Sequence, residues 1–512
     1  MKNWNRPMMT AVVLAAMLSA CDEQHSEAPE QPAPEPAGMT VERGAAAADP
    51  VLAETVADVV YTQWGAVRGE TITDEAVDAS ARIFRGVPYA EPPVGELRWQ
   101  PPQPATAWER VRDATEWADR CPQGDSSMGE GSAISEDCLY LNVVTAAEST
   151  DAQLPVMVFF HGGGLTTGTG NSTIYNHPML PSKGVVLVSV NSRLGPIGYL
   201  AHPALTAEAE NGGSGNYGTL DLAASLQWVQ ANIAAFGGDP GNVTIFGESG
   251  GGTKTISQMA TPLASGLFHK AIVQSGSALV SEQRVTMLDE AEATGERLAE
   301  ALGVADQDDV LAAMRALSWQ DIIAAASSEE VGFRANVVVD GYVIPDTVHN
   351  VFRAGNQSDV PLIVGANAGE SMLQSSVPLM ANLHSATASS PTYVYSFSQL
   401  PKTWRDEYCV AFHGLELPYV FGSVPTGVDS PTMLFLSAGG GCTSREPITD
   451  AVDMTVSDQA SSLWAQFART GDPSVEGLVQ WPAYTEENSQ YLNIGAPLEA
   501  RTGIHESYTP AP

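Results

Sequence analysis

The stretch "TIFGESGGGTKT", residues 244–255, holds one serine, Ser249, with a glycine two positions to either side. A serine hydroxyl is a poor nucleophile until a base takes its proton and an acid orients that base. The glycines alone decide nothing. With 47 of them in 512 residues, G-x-S-x-G arises by chance at roughly one serine in a hundred. What sets Ser249 apart is its surroundings. The β-favouring run "VTIFG" leads into it, and "GGGTKTISQMATP" continues as a helix. So sharp a strand-to-helix turn leaves no room for side chains at the flanking positions, which must then be glycine. The helix start also offers backbone N–H groups to a developing oxyanion.

In chains built this way the acid and then the base follow the serine. Of nine histidines, only His384, His413 and His505 come late enough to serve as base. His413 follows the strand-like "TYVYSFS" by a loop, whereas His384 precedes that run and His505 lies in the tail. Glu370 sits just past "PLIVGAN", at the carboxyl end of a buried strand, where α/β sites gather. Asp340 and Asp346 flank "GYVIP" and read as turn residues. The expected set is Ser249 as nucleophile, His413 as base and Glu370 as acid. A second piece of chemistry is "FFHGGGL". Three glycines directly after a buried strand let backbone N–H groups approach a reacting carbonyl, with the N–H of Gly250 completing the set. His161, ahead of the serine in the chain, reads as a structural hydrogen-bonding residue.

These groups need a scaffold, and the chain alternates short apolar runs with longer amphipathic ones. "LPVMVFF" (154–160), "VVLVSV" (185–190), "VTIFG" (243–247), "AIVQSG" (271–276), "PLIVGAN" (361–367) and "TYVYSFS" (392–398) read as strands. Several are apolar on both faces, as buried parallel strands are. "LDLAASLQWVQANIAAFGG" puts Leu222, Leu226, Val229 and Ile233 on one helical face and stops at Gly237 and Gly238. Strands alternating with helices imply an α/β fold, a mostly parallel sheet covered on both faces. No internal repeat or second linker follows residue 58, so 58–507 is expected to be one large domain.

The N-terminus belongs elsewhere. Lys2 and Arg6 precede the apolar run "MMTAVVLAAML", which is too short to span a bilayer and has the layout of a secretory signal. It ends in Leu18-Ser19-Ala20-Cys21, which looks like a bacterial lipoprotein cleavage box with Cys21 as the lipid-bearing residue; a plain signal peptide is the alternative. Residues 1–21 are thus read as the signal, and 22–57, opening "DEQHSEAPEQPAPEPAG", as an acidic, proline-rich tether. Membrane contact would come through that lipid alone, placing the protein in a bacterial cell envelope. With 60 acidic residues against 24 basic, net charge −36, nucleic acid is excluded as a partner. Setting Cys21 aside leaves Cys121, Cys138, Cys409 and Cys442, an even set that implies two disulfides in an exported chain. Three pairings are open. No C-x-x-C or clustered Cys/His pair supports zinc, so no metal is expected.

With these parts assembled, the chain resembles the type-B carboxylesterases, the family that includes the cholinesterases, from about residue 59 to residue 484. The likeness is carried by "FRGVPYAEPPVGELRWQPPQP", "SEDCLYLNV", "GNYGTLDLAASLQWVQANIAAFGGDPGNVTIFGESGG", "HGLELPYVFG" and "LWAQFARTGDPS" with "WPAY". It implies an α/β-hydrolase fold and hydrolysis of small-molecule esters without a cofactor. It also implies nucleophile Ser249, acid Glu370, base His413 and an oxyanion hole from the N–H groups of Gly163, Gly164 and Gly250. The family's first disulfide falls on Cys121–Cys138, leaving Cys409–Cys442. Arg193 with Asp221 and Arg98 with Glu136 match ion pairs of the family, and Ser275 a buried serine behind the triad.

The departures are informative too. "NAGES" stands where the family has N-x-D-E-G, and Gly250 replaces the usual alanine after the serine. No tryptophan lies between Cys121 and Cys138, so the ring on which cholinesterases seat their cation is missing. Only about twenty-two residues separate Glu370 from "TYVYSFS", so helices that narrow the approach to the serine in the family are expected to be absent. The rival readings are an amidase or acyltransferase with the same three residues, and a non-catalytic binding module of the same fold.

Overall fold

A computed structural model of the protein describes residues 58–124, 133–281, 286–373 and 375–504. The signal, Cys21, the tether and His505 lie outside the described residues. Among the described residues, eleven strands form one sheet. In chain order they are β1 (Glu70–Asp74), β2 (Ala79–Pro88), β3 (Tyr140–Thr145), β4 (Leu154–Phe160), β5 (Val186–Val190), β6 (Gly238–Glu248), β7 (Lys270–Gln274), β8 (Leu362–Asn367), β9 (Thr392–Phe397), β10 (Tyr491–Ile494) and β11 (Glu499–Arg501). Their spatial order is β11-β10-β9-β8-β7-β6-β4-β5-β3-β2-β1. From β5 to β10 every neighbouring pair is parallel, and the strands outside that block pair antiparallel.

The doubly apolar strands have a direct cause. Val156, Val158 and Phe160 of β4 enter one core while Met157 and Phe159 enter another, because successive side chains leave opposite faces of a strand. The first core is closed by helices α1 (Tyr217–Asn232), α2 (Gly250–Ala260) and α3 (Ser376–Thr387), through Leu222, Leu226, Ile256, Val377 and Met380. The second is closed by α4 (Glu416–Phe421) and α5 (Ala451–Thr470), through Leu417, Phe421, Leu463, Trp464 and Phe467. Each fully buried side chain of this size contributes about 1.5–3 kcal/mol. The sheet is therefore held from both sides, and the ends of its parallel strands are rigid platforms.

All six strands anticipated from the sequence are present, each within a few residues of the expected bounds. Further strands lie outside these six: β10 and β11 follow "TYVYSFS", and β1 to β3 extend the other edge. The outermost strands, with burial patterns dominated by exposure in β1 and β11, carry no continuous apolar run by which to be recognised. Helix α1 buries Leu222, Leu226 and Val229, and the 3-10 turn Ile233–Phe236 that continues it buries Ile233, as expected, before ending on Gly237 at φ 81°. Behind it, Asp221 accepts from Arg193 Nε at 2.9 Å and Nη2 at 2.7 Å, both side chains wholly buried. Glu136 accepts from Arg98 Nε at 2.7 Å and Nη2 at 2.6 Å. Cysteines 121 and 138 are paired, as are 409 and 442, with Cα separations of 5.0 and 5.3 Å. The short segment after Glu370 is not bare: it forms a 3-10 turn, Ser371–Leu373, and then α3.

Candidate active site

Ser249 joins β6 to α2 with φ 58° and ψ −120°, a conformation that L-residues rarely adopt and that surrounding bonds must hold. Its N–H donates to Gln274 O at 2.8 Å, and its carbonyl accepts from Thr253 N at 3.1 Å. The flanking glycines are required by close approach. A Cβ at Gly251 would lie 1.9 Å from Phe160 O, and one at Gly247 would lie 2.4 Å from Gly251 C.

Glu370 stands beyond β8, in a turn closed by its own N–H on Asn367 O at 2.9 Å. Its Oε2 accepts from Asn367 N at 2.8 Å and from Ser275 Oγ at 2.6 Å, so the buried serine implied by the resemblance bonds Glu370. His413 precedes α4 on a loop tied to that turn, where Gly369 N donates to Ala411 O at 2.8 Å and Asn367 Nδ2 to Phe412 O at 2.6 Å. These ties bring His413 Nδ1 to 2.5 Å from Glu370 Oε1 and His413 Nε2 to 2.7 Å from Ser249 Oγ. With the carboxylate ionised, Nδ1 carries the proton and Nε2 accepts from the serine hydroxyl.

Residues 161–164 leave β4 beside the serine. A Cβ at Gly162 would lie 3.4 Å from Ser249 Cβ, which places this loop against the nucleophile's turn. Gly163 and Gly164 have φ 91° and 64°, and among the described residues no group accepts from the N–H of Gly163, Gly164 or Gly250. The other candidates lie elsewhere. His384 is buried in α3 with Nε2 3.0 Å from Val360 O, and Asp340 Oδ1 accepts from Tyr342 N and Ile344 N in a turn. His161 is buried, its Nδ1 2.8 Å from Gly162 O, a structural histidine as anticipated.

Three residues escaped the sequence reading. Glu248, next to the serine, is buried with Oε1 3.3 Å from His413 Nε2. Glu416, on α4, accepts from Gln274 Nε2 at 3.2 Å and from Asn367 Nδ2 at 2.5 Å. Lys254, on α2, is 1% exposed. Burial pushes the carboxyls of Glu248 and Glu416 up, since water no longer stabilises their charged forms. The Glu248 carboxylate, and after it Glu370, hold the His413 imidazolium well above its usual range, against an opposing effect of burial. Nothing in their local sequence marked these side chains, because an isolated Glu or Lys is exposed by default.

A sheet of this topology, with a strained serine between strand and helix and an imidazole and a carboxylate in line behind it, defines an α/β hydrolase. The Carboxylesterase family profile matches residues 56–377 and 369–509. The para-nitrobenzyl esterase of Bacillus subtilis (strain 168) is 34% identical over 500 residues, covering 86% of this chain and 95% of that protein. The fumonisin B1 esterase of Sphingopyxis macrogoltabida is 32% identical over 551 residues, covering 93% and 96%. A solved PNB esterase structure superposes with a TM-score of 0.73 at 30% identity, covering 87% of this chain and 97% of that one. The chain belongs to the carboxylesterase family, and it is a carboxylic ester hydrolase.

Proposed function

We propose that the protein hydrolyses esters through a Ser249–His413–Glu370 triad and an acyl-enzyme. The observation that carries this reading is the unbroken hydrogen-bond line from Ser249 Oγ through His413 to Glu370. Ser249 Oγ attacks the ester carbonyl carbon while His413 Nε2 takes its proton. The N–H groups of Gly163, Gly164 and Gly250 receive the negative charge on the carbonyl oxygen. Collapse of the tetrahedral adduct breaks the C–O bond, and His413 protonates the departing alcohol. Water, deprotonated by His413, then attacks the acyl-enzyme and restores Ser249. Glu370 keeps the imidazole in the right tautomer and offsets its charge.

We further propose uncharged or bulky esters as substrates, because the acidic surface repels anions and the segment after Glu370 is short. The substrates in the relatives' names, para-nitrobenzyl, fumonisin B1 and cocaine, differ too much to fix this chain's ester. The protein is held in a bacterial envelope by acyl chains on Cys21, a location that suits two disulfides.

The test uses a neutral aryl ester and a fluorophosphonate label. Ser249→Ala is expected to abolish labelling and to lower kcat by about 10⁴-fold or more, with His413→Ala close behind, because such residues act as a unit. Glu370→Gln keeps more activity. Turnover by Ser249→Ala near the wild-type rate would overturn the reading. A panel of small and multi-ring esters tests the substrate class, and rejection of every bulky ester would count against it.

A further inference from the structure

Lys254 has no part in the triad, yet it is buried beside the loop that leaves β4. Its Nζ lies 3.2 Å from His161 Nε2 and 3.2 Å from His161 O. His161 is also 1% exposed, and its Nδ1 is 2.8 Å from Gly162 O. That contact requires the proton on Nδ1, which leaves Nε2 as an acceptor for the ammonium. One cation thus bonds both the backbone and the ring of the residue that begins "HGGG". Burying an ammonium with no carboxylate against it is costly, and a leucine or methionine would pack α2 without that penalty.

The other ionisable groups on the elements around α2 are Tyr217 and Asp221 on α1, Asp239 and Glu248 on β6, Lys270 on β7, and His349 and Arg353 on the helix Val348–Ala354. None is hydrogen-bonded or ion-paired to Lys254. Asp221 is taken up by Arg193, and Lys270 bonds Asn242. Lys254 therefore has the loop as its charged partner's substitute, two oriented dipoles in place of an anion.

We propose that Lys254 is a positioning residue for the oxyanion loop. Its ammonium ties residues 161–164 to the nucleophile's own helix, so that the N–H groups of Gly163 and Gly164 are fixed relative to Ser249. The inference rests on the oxyanion assignment made above. A charged donor binds its acceptors roughly twice as strongly as a neutral one, and an error of about 1 Å in the oxyanion donors costs roughly 100-fold in rate. Burial pushes Lys254 down to about 7, so the clamp weakens as pH rises through neutrality and the amine becomes neutral.

The experiment compares full-length wild type, Lys254→Met and Lys254→Gln on a neutral aryl ester from about pH 6 to about pH 9. At the acid end, Lys254→Met is expected to lower kcat by about 10–100-fold with KM changed by less than about twofold. Lys254→Gln, a neutral donor, is expected to recover part of that loss. The ratio of wild-type to variant kcat should shrink several-fold toward high pH for both, because the wild type then loses its own charge. If Lys254→Met does not fold, the Gln series decides alone. A ratio that stays flat with pH, a loss carried by KM, or unchanged kcat would overturn the role. Ser249→Ala is run alongside: its activity would instead sink the reading on which this inference depends.

Discussion

In the proposed mechanism His413 has to be neutral to accept the serine's proton, so turnover is expected to rise with pH as its imidazolium deprotonates. The Glu248 carboxylate is the largest cause holding that proton in place, with Glu370 adding to it and burial opposing. The rising limb of the pH–rate profile is therefore expected above the range of an ordinary histidine. Glu248→Gln removes the principal cause and should shift the limb of kcat/KM to lower pH by about 1–2 units. Burial raises Glu248 as well, so imidazole and carboxyl titrate as one coupled unit and the limb belongs to the pair. Profiles of both proteins on one ester check this, and an unmoved limb would remove Glu248 from the site. That Ser249, His413 and Glu370 would come together was legible, because chain order and strand ends constrain where such groups can meet. Glu248, Glu416 and Lys254 were not, since only the packed interior shows that their charges are out of water.

The 161–164 loop, proposed to hold the oxyanion, and helix α2 meet more closely than an alanine at position 250 would permit. A Cβ there would fall 1.9 Å from Gly164 O, so the glycine that departs from the family's usual alanine lets the loop seat where it does. Gly250→Ala must push the loop or the helix start aside, and is expected to lower kcat by about 10–100-fold with little change in KM. Steady-state kinetics test it, and an unchanged kcat would mean that the loop adjusts freely. The loop carrying His413 has its own constraint. Cys409 and Cys442, 33 residues apart in sequence, bracket the base, and closing a loop of that size restrains the unfolded chain by about 3–4 kcal/mol. Mild reduction should lower esterase activity before the circular dichroism of the whole protein changes. Loss of both signals together would show that the bridge supports the entire fold rather than this loop.

For the molecule as a whole, the sheet is clamped between two cores, and no helix among the described residues is long and apolar enough to cross a membrane. The proposed attachment to an envelope rests instead on residues outside those described, the lipobox-like Leu18-Ser19-Ala20-Cys21. Acyl chains contribute about 0.8 kcal/mol per buried methylene, and two or more of them anchor stably. Cys21→Ser is expected to move the protein from the membrane to the soluble fraction, or to block its processing, with kcat unchanged. Fractionation and intact mass of the mature chain check this, and an unmodified, soluble wild-type protein would refute it. The net charge of −36 acts at the same range, keeping polyanions away until salt screens it.

The central strands were readable because burial on both faces forces continuous apolar runs, and the serine's turn because only glycine tolerates its approach distances. The same logic explains the limits. Edge strands β1 and β11 bury too little to impose a pattern, β10 beside β11 is only four residues long, and four cysteines admit three pairings until the fold brings two pairs within bonding distance. Local sequence thus determined the parallel core, the strand-to-helix turn at Ser249 and the chain order Ser249, Glu370, His413. Which buried charges surround His413, and what Lys254 touches, depends on contacts between segments far apart in the chain, and those exist only once the two cores have closed around the sheet.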